Sequence, residues 1–244
     1  MAKSENLKKL VKLFIVILLF ALWILYRAYF SQNKTKIGYE YEFQDNLLQV
    51  IYLSLTNYLS QHLQIRDYLM IIGGCSLDIL FLTFSVVFIL RAKSWLFPIN
   101  AIMFYGFRGM NQALTLFEII DTHLFDNPGF PSIVIPYFRA CDFFYSGHTG
   151  IALIFSLNFG ELEAPLLNKV GIFVTLYEGF MMSVIRAHYS IDILFALMCA
   201  HYFYFISKKV SYYLDEKIPI CGQRLSTKYQ SSLSVNSIKN SETN

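Results

Sequence analysis

The chain has 244 residues, of which 55% are hydrophobic and only 15% charged, with a net charge of +3 and a mean hydropathy of +0.45. Soluble domains carry roughly a quarter charged residues, so this composition excludes an ordinary soluble domain and points to a membrane protein. A charge of +3 with no basic stripe excludes a nucleic-acid partner. Cys75, Cys141, Cys199 and Cys221 lie too far apart for a disulfide framework or a zinc-ligand spacing.

A helix needs about 20 mainly apolar residues to cross a bilayer. Six stretches provide them: residues 7–30, 68–90, 95–117, 143–159, 170–185 and 191–206. The first follows a basic "KKLVK" as a signal peptide would. Its apolar run is too long for a signal core, however, and "YRAYFSQNK" is a poor cleavage site, so it reads as a span. Residues 37–66 are amphipathic and too polar to span, which predicts a helix lying on the membrane surface rather than a substrate gate. From Lys208 the chain turns Ser-, Lys- and Asn-rich, and disorder is expected from about residue 222. The expectation is an all-α, polytopic protein with six transmembrane helices and an interfacial helix between the first two. A short N-terminus (1–6) and a tail (208–244) flank the membrane domain (7–207).

Orientation follows from lysine and arginine placement. A cytoplasmic N-terminus puts thirteen of these residues on the cytoplasmic side, among them Lys8, Lys9, Lys12, Arg91, Lys93 and Lys169. Six fall opposite: Arg27, Lys34, Lys36, Arg66, Arg139 and Arg186. Both termini are therefore expected in the cytoplasm, with residues 118–142 in the lumen or outside the cell. On this topology His148 enters span four, His188 and Asp192 stand at the mouth of span six, and Arg108 lies in the same half of span three. Ionisable groups inside a membrane are costly and default to a functional reading.

"DFFYSGHTG" (142–150) and "RAHYSID" (186–192) carry the candidate chemistry. His188 and Asp192 are spaced i, i+4 and share a face if the helix begins near His188. A carboxylate beside one imidazole nitrogen sets the tautomer and leaves the other nitrogen to attack or to accept a proton. Ser146 and Gly147 precede His148 at a helix start, where backbone N–H groups form an anion site. Arg108 and Arg186 offer forked donors for phosphate oxygens. Together these groups suit phosphoryl transfer. Arg108 has a second reading as an ion-pair partner of Asp78 or Glu118, Arg186 as an interfacial residue, and Asp142 as a cap of span four.

The two motifs, in this order and at matching helix starts, resemble the type-2 phosphatidic acid phosphatase superfamily, and within it the sphingomyelin synthase-related branch. That branch reads Cys-Gly-Asp-x-x-x-Ser-Gly-His-Thr and then His-Tyr-Thr-x-Asp; this chain has "CDFFYSGHT" and "HYSID". Plant phosphatidylcholine:diacylglycerol cholinephosphotransferases carry a similar pair. The resemblance is tight over residues 139–206. It implies that His188 attacks the head-group phosphorus, Asp192 orients it, and His148 protonates the departing diacylglycerol oxygen. His148 would then activate the second lipid alcohol. "YGFR" (105–108) is similar to the family's Tyr-x-x-Arg element, which implies phosphate contact by Tyr105 and Arg108. The chain departs from the branch in lacking its arginine pair before that element, in the direct Cys141–Asp142 junction, and in Ser190 for threonine. The superfamily's Lys-x6-Arg-Pro element is missing too, which favours transfer over hydrolysis.

The implied enzyme moves phosphocholine or phosphoethanolamine from a phospholipid donor to diacylglycerol or ceramide, without metal or cofactor, in an endomembrane or the plasma membrane. The rival expectations are a lipid phosphatase or phospholipase C-type hydrolase, and a non-catalytic lipid-binding protein. Nothing in the sequence decides between a monomer and a homo-oligomer. Asp78 and Glu178 are mid-span acids that face either a head-group amine or a buried hydrogen-bonded partner. His201 reads as an interhelical histidine, His62 and His123 as surface residues, and Tyr29 and Trp95 as interface anchors. Tyr202, Phe203 and Tyr204 read as packing rather than an aromatic cage.

Overall fold

The structure is a computed structural model, and it describes residues 2–32, 48–114, 124–137 and 144–217. These residues form seven helices: α1 (Ala2–Gln32), α2 (Leu48–Gln61), α3 (Leu63–Arg91), α4 (Leu96–Leu114), α5 (Gly147–Glu161), α6 (Pro165–Val184) and α7 (Ser190–Lys217). Among the described residues there is no strand. The elements among the described residues are thus all helices, in line with the expected all-α class.

Segments within α1 (Asn6–Tyr26), α3 and α7 are each long and apolar enough to cross a membrane. In α1 only 11% of the apolar window is buried, so nearly all of its hydrophobic surface faces outward, as in a helix solvated by lipid. Helix α5 is shorter than the expected fourth span. Its 15 residues rise only about 22 Å at 1.5 Å each, against a hydrocarbon core of about 30 Å.

Helices α3 to α7 run alternately up and down, so the start of α5, the end of α6 and the start of α7 meet at one end with the second half of α4. Close approach of α4 and α5 depends on Gly150. A Cβ there would sit 2.0 Å from Cζ of Phe104. Farther from that end, Phe84 packs on Phe97, Phe155 and Phe159 at ring-centroid distances of 4.4, 4.9 and 5.2 Å. This cluster ties α3, α4 and α5 into one core.

Several boundaries differ from the sequence expectation, each for a visible reason. The amphipathic stretch divides at His62: α2 ends at Gln61 and α3 starts at Leu63, five residues earlier than the expected span. Helix α2 is packed, with Leu59 1% exposed and Thr56 Oγ1 donating to the Val184 carbonyl at 2.7 Å. Helix α7 runs to Lys217, past the expected break at Lys208, because its last turns are docked. Lys208 pairs with Glu161 at 2.6 Å, and Asp215 accepts the Trp95 N–H at 2.9 Å, capping the entry to α4. The tail from residue 218, with its expected disorder, lies outside the described residues, as do Cys141 and Cys221. Cys75 and Cys199 are free thiols.

Candidate active site

The chain enters α5 through two consecutive non-glycine residues with positive φ, Phe144 (φ 76°) and Tyr145 (φ 63°). Bulky residues rarely adopt this conformation, at a cost of about 1–3 kcal/mol each. What holds them there is Asp192. Its Oδ1 accepts the N–H of Phe144 at 3.2 Å and of Tyr145 at 3.5 Å, and its backbone carbonyl accepts Ser146 N–H at 3.0 Å. The helix therefore starts at Gly147 rather than 143, and Ser146 becomes its N-cap, accepting Thr149 N–H on Oγ at 3.4 Å. His148 consequently lies in the first turn of α5.

His188 precedes α7 rather than lying within it. The expected i, i+4 pairing nevertheless forms, because Asp192 in the first turn reaches back. Its Oδ2 accepts Tyr189 N–H at 3.1 Å and lies 3.3 Å from His188 Nδ1. Both side chains are buried, 5% and 3% exposed. The His188 backbone is set by a Schellman turn ending α6. Arg186 takes the left-handed conformation (φ 52°), with its N–H on Ser183 O at 3.2 Å and Ala187 N–H on Met182 O at 3.0 Å. His188 N–H bonds the same Met182 carbonyl at 3.3 Å.

The His148 and His188 rings face one another edge to face, with centroids 6.4 Å apart. Arg108 arrives from α4, is 6% exposed, and donates from Nε to the Tyr145 carbonyl at 3.0 Å and from a terminal nitrogen to the Tyr26 hydroxyl at 2.9 Å. A Cβ on Gly147 would stand 3.4 Å from the Arg108 guanidinium carbon, so glycine lets the cation approach the N-terminus of α5. Positive charge thus stands at the start of α5, whose first turn carries His148, with the His188 ring 6.4 Å from the His148 ring, an arrangement suited to a phosphate.

Tyr105 stands one turn earlier on α4 than Arg108, on the wall of an apolar cavity of about 280 Å³ between α1, α3, α4 and α5. Its ring meets that of Tyr26 at 5.8 Å. Arg186 is half-buried two residues before His188, and burial lowers its pKa. Asp142 lies outside the described residues, as do His123 and Glu118.

Asp78 is hydrogen-bonded within the protein. It accepts Ser132 Oγ, Ile133 N–H and Val134 N–H, each at 2.9 Å, and so anchors the 124–137 segment to α3. His201 is exposed rather than interhelical, with its ring edge on Phe205 at 4.7 Å. His62 is exposed, as expected, with Nδ1 2.9 Å from the Tyr58 carbonyl. Phe203 packs on Phe107, and Tyr204 bonds Glu161 at the far end of the bundle, so neither helps form a cage at the site. Sequence reasoning missed Tyr26, which comes from α1 and joins Arg108 across 82 residues, and Phe125, whose ring lies 5.9 Å from that of His148. Neither residue belongs to a local motif.

Searches of curated proteins and of solved structures return no match. Residues 140–209, however, match the family described as PAP2 superfamily C-terminal. That segment contains Ser146, Gly147, His148, Arg186, His188 and Asp192, and its match supports membership of the PAP2 superfamily and activity of the lipid phosphatase or phosphotransferase type.

Proposed function

We propose that this chain is a membrane phosphotransferase that moves phosphocholine or phosphoethanolamine from a glycerophospholipid to diacylglycerol or ceramide. One observation carries the lipid substrate: Tyr26 and Tyr105 line the apolar cavity, and Tyr26 also bonds Arg108. A phosphate held by Arg108 would then have its acyl chain in an apolar slot. In this reading the six helices other than α2 form the membrane domain, with the short α5 crossing only part of the hydrocarbon core; α2 lies at the membrane surface, both termini are cytoplasmic, and the site opens to the lumen or exterior.

Asp192 beside Nδ1 favours a proton on that nitrogen, which leaves the Nε2 lone pair of His188 free to attack phosphorus. The bond from phosphorus to the diacylglycerol oxygen breaks, and His148 donates the proton that oxygen needs. Arg108 and the α5 N–H groups stabilise charge on the non-bridging oxygens. In the second half, the acceptor hydroxyl gives its proton to His148 and attacks phosphorus. The P–N bond breaks and restores His188. Phosphotransfer by this route needs no metal.

The test is purified protein in liposomes containing phosphatidylcholine, phosphatidylethanolamine, diacylglycerol and ceramide, with products resolved by mass spectrometry. The expected result is head-group transfer that persists in EDTA. Release of inorganic phosphate from phosphatidic acid, or of free phosphorylated head group without transfer, would replace the reading by hydrolysis. Loss of activity in EDTA with recovery on adding a divalent ion would overturn metal independence.

A further inference from the structure

Glu178 is used by neither step above. It sits on α6, 1% exposed, and neither carboxylate oxygen has a hydrogen-bond partner among the described residues. A buried polar group left unpaired is costly, a charged one far more so. The obvious donors nearby are committed elsewhere: Tyr137 Oη donates to the Met70 carbonyl at 3.3 Å, and Tyr177 Oη to the Leu69 carbonyl at 2.9 Å. Gly73 makes room for the acid, since a Cβ there would lie 2.9 Å from its Oε1. Beside the carboxylate is a void of about 10 Å³ whose walls include Phe125, Tyr137, Met182 and Ile185, space for one water-sized group.

The void adjoins the candidate site. Phe125 lines it and also meets the His148 ring at 5.9 Å. Met182, on another wall, carries the carbonyl that holds His188 N–H. Depth agrees as well: the neighbouring Gly179 faces Thr149 and Ile193, the residues that follow His148 and Asp192. The Phe125 ring thus stands between the void and the His148 ring, and it must turn aside for a head group held between the imidazoles to reach Glu178. Two carbons separate phosphate from nitrogen in an ethanolamine or choline head group.

We infer that Glu178 and this void form the subsite for the head-group nitrogen, and that the subsite selects a primary ammonium over a trimethylammonium. The inference rests on the head-group transfer proposed above. A primary ammonium is water-sized and brings hydrogen-bond donors to a carboxylate that lacks them. A trimethylammonium brings none and exceeds the space. A site built to pair with a donor discriminates strongly against an analogue lacking it.

The experiment offers full-length protein liposomes with equal phosphatidylethanolamine and phosphatidylcholine plus diacylglycerol, and reads the ratio of transferred head groups. Wild type should favour ethanolamine by about tenfold or more. Glu178→Gln should lower that ratio by a similar factor, as should Gly73→Ala, which crowds the carboxylate without removing it. A merely structural acid would lower both products in proportion and leave the ratio unchanged; that result overturns the inference, as does a wild-type preference for choline. If neither donor is consumed, the transfer reading fails, and thermal protection of the solubilised protein decides the subsite separately. Phosphoethanolamine raising the midpoint of wild type but not of Glu178→Gln supports it. No difference between the two proteins, or equal protection by phosphocholine, rejects it.

Discussion

Asp192 divides its two oxygens between two tasks. Oδ2 lies beside His188 Nδ1, while Oδ1 holds the N–H groups that bend the chain into α5. Asp192→Asn should therefore act twice. Loss of the tautomer-setting carboxylate should lower turnover about ten-thousand-fold, the size of the comparable change in a serine protease. The new amide also presents N–H to an N–H, so the variant should lose about 1–3 kcal/mol of stability in denaturation. An inactive variant with unchanged stability would mean that the carboxylate does not hold the Phe144–Tyr145 turn. The two histidines separate by leaving group. His188→Ala should abolish transfer from every donor, whereas His148→Ala should be partly rescued by a donor with an acidic leaving group. Rescue of His188→Ala by that donor would instead favour direct attack by the acceptor. The arginines separate by rate. Arg108 is clasped at the start of α5, so Arg108→Ala should cost about a hundredfold or more, and Arg186→Ala less. Equal small losses would return Arg108 to a structural role.

Two glycines on the facing helices α4 and α5 test how the elements make the lipid slot. A Cβ on Gly106 meets nothing within 4 Å, and Gly106 lines the apolar cavity. Gly106→Phe should fill the slot without disturbing the fold, slowing long-chain donors more than short-chain ones. An unchanged chain-length profile would remove the slot from substrate binding. Gly150→Ala is the opposite case. Its Cβ would land on Phe104, so it should cost about 1–3 kcal/mol by overpacking. What was legible in the sequence divides along the same line between local and distant causes. The His188–Asp192 pair and the apolar runs are properties of a few consecutive residues. The late start of α5 was not legible, because the turn at Phe144 and Tyr145 contains no glycine and is imposed by a carboxylate 48 residues away. Tyr26 reaching Arg108, and Glu178 facing a void lined by residues of α3 and the 124–137 segment, likewise depend on packing that no periodicity announces.

At the scale of the whole molecule, the bundle has two polar ends of different character. One gathers Arg108, His148, His188 and Asp192, all buried or half-buried. The other carries Arg91, donating to the Leu162 and Glu163 carbonyls, and the exposed Lys208–Glu161 pair. Alternating helix directions put Asn127 and the exposed Gly129 with the first end, and the last turn of α7 with the second. The topological proposal therefore reduces to which end faces the cytoplasm. The positive-inside rule answers from charge: lysines and arginines at the start of α1, around the α3–α4 connection, at the start of α6 and from Lys208 onward outnumber those opposite by thirteen to six. A glycosylation sequon inserted beside Asn127 should be modified in microsomes, and one in the tail should not. Because the helices that carry His148 and His188 both start at the Asn127 end, modification there puts the histidines toward the luminal or exterior leaflet, where donor and acceptor lipids must then be found. Modification of the tail instead would invert the molecule and place the same chemistry at the cytoplasmic leaflet. It would overturn the proposed orientation while leaving the geometry of the site intact.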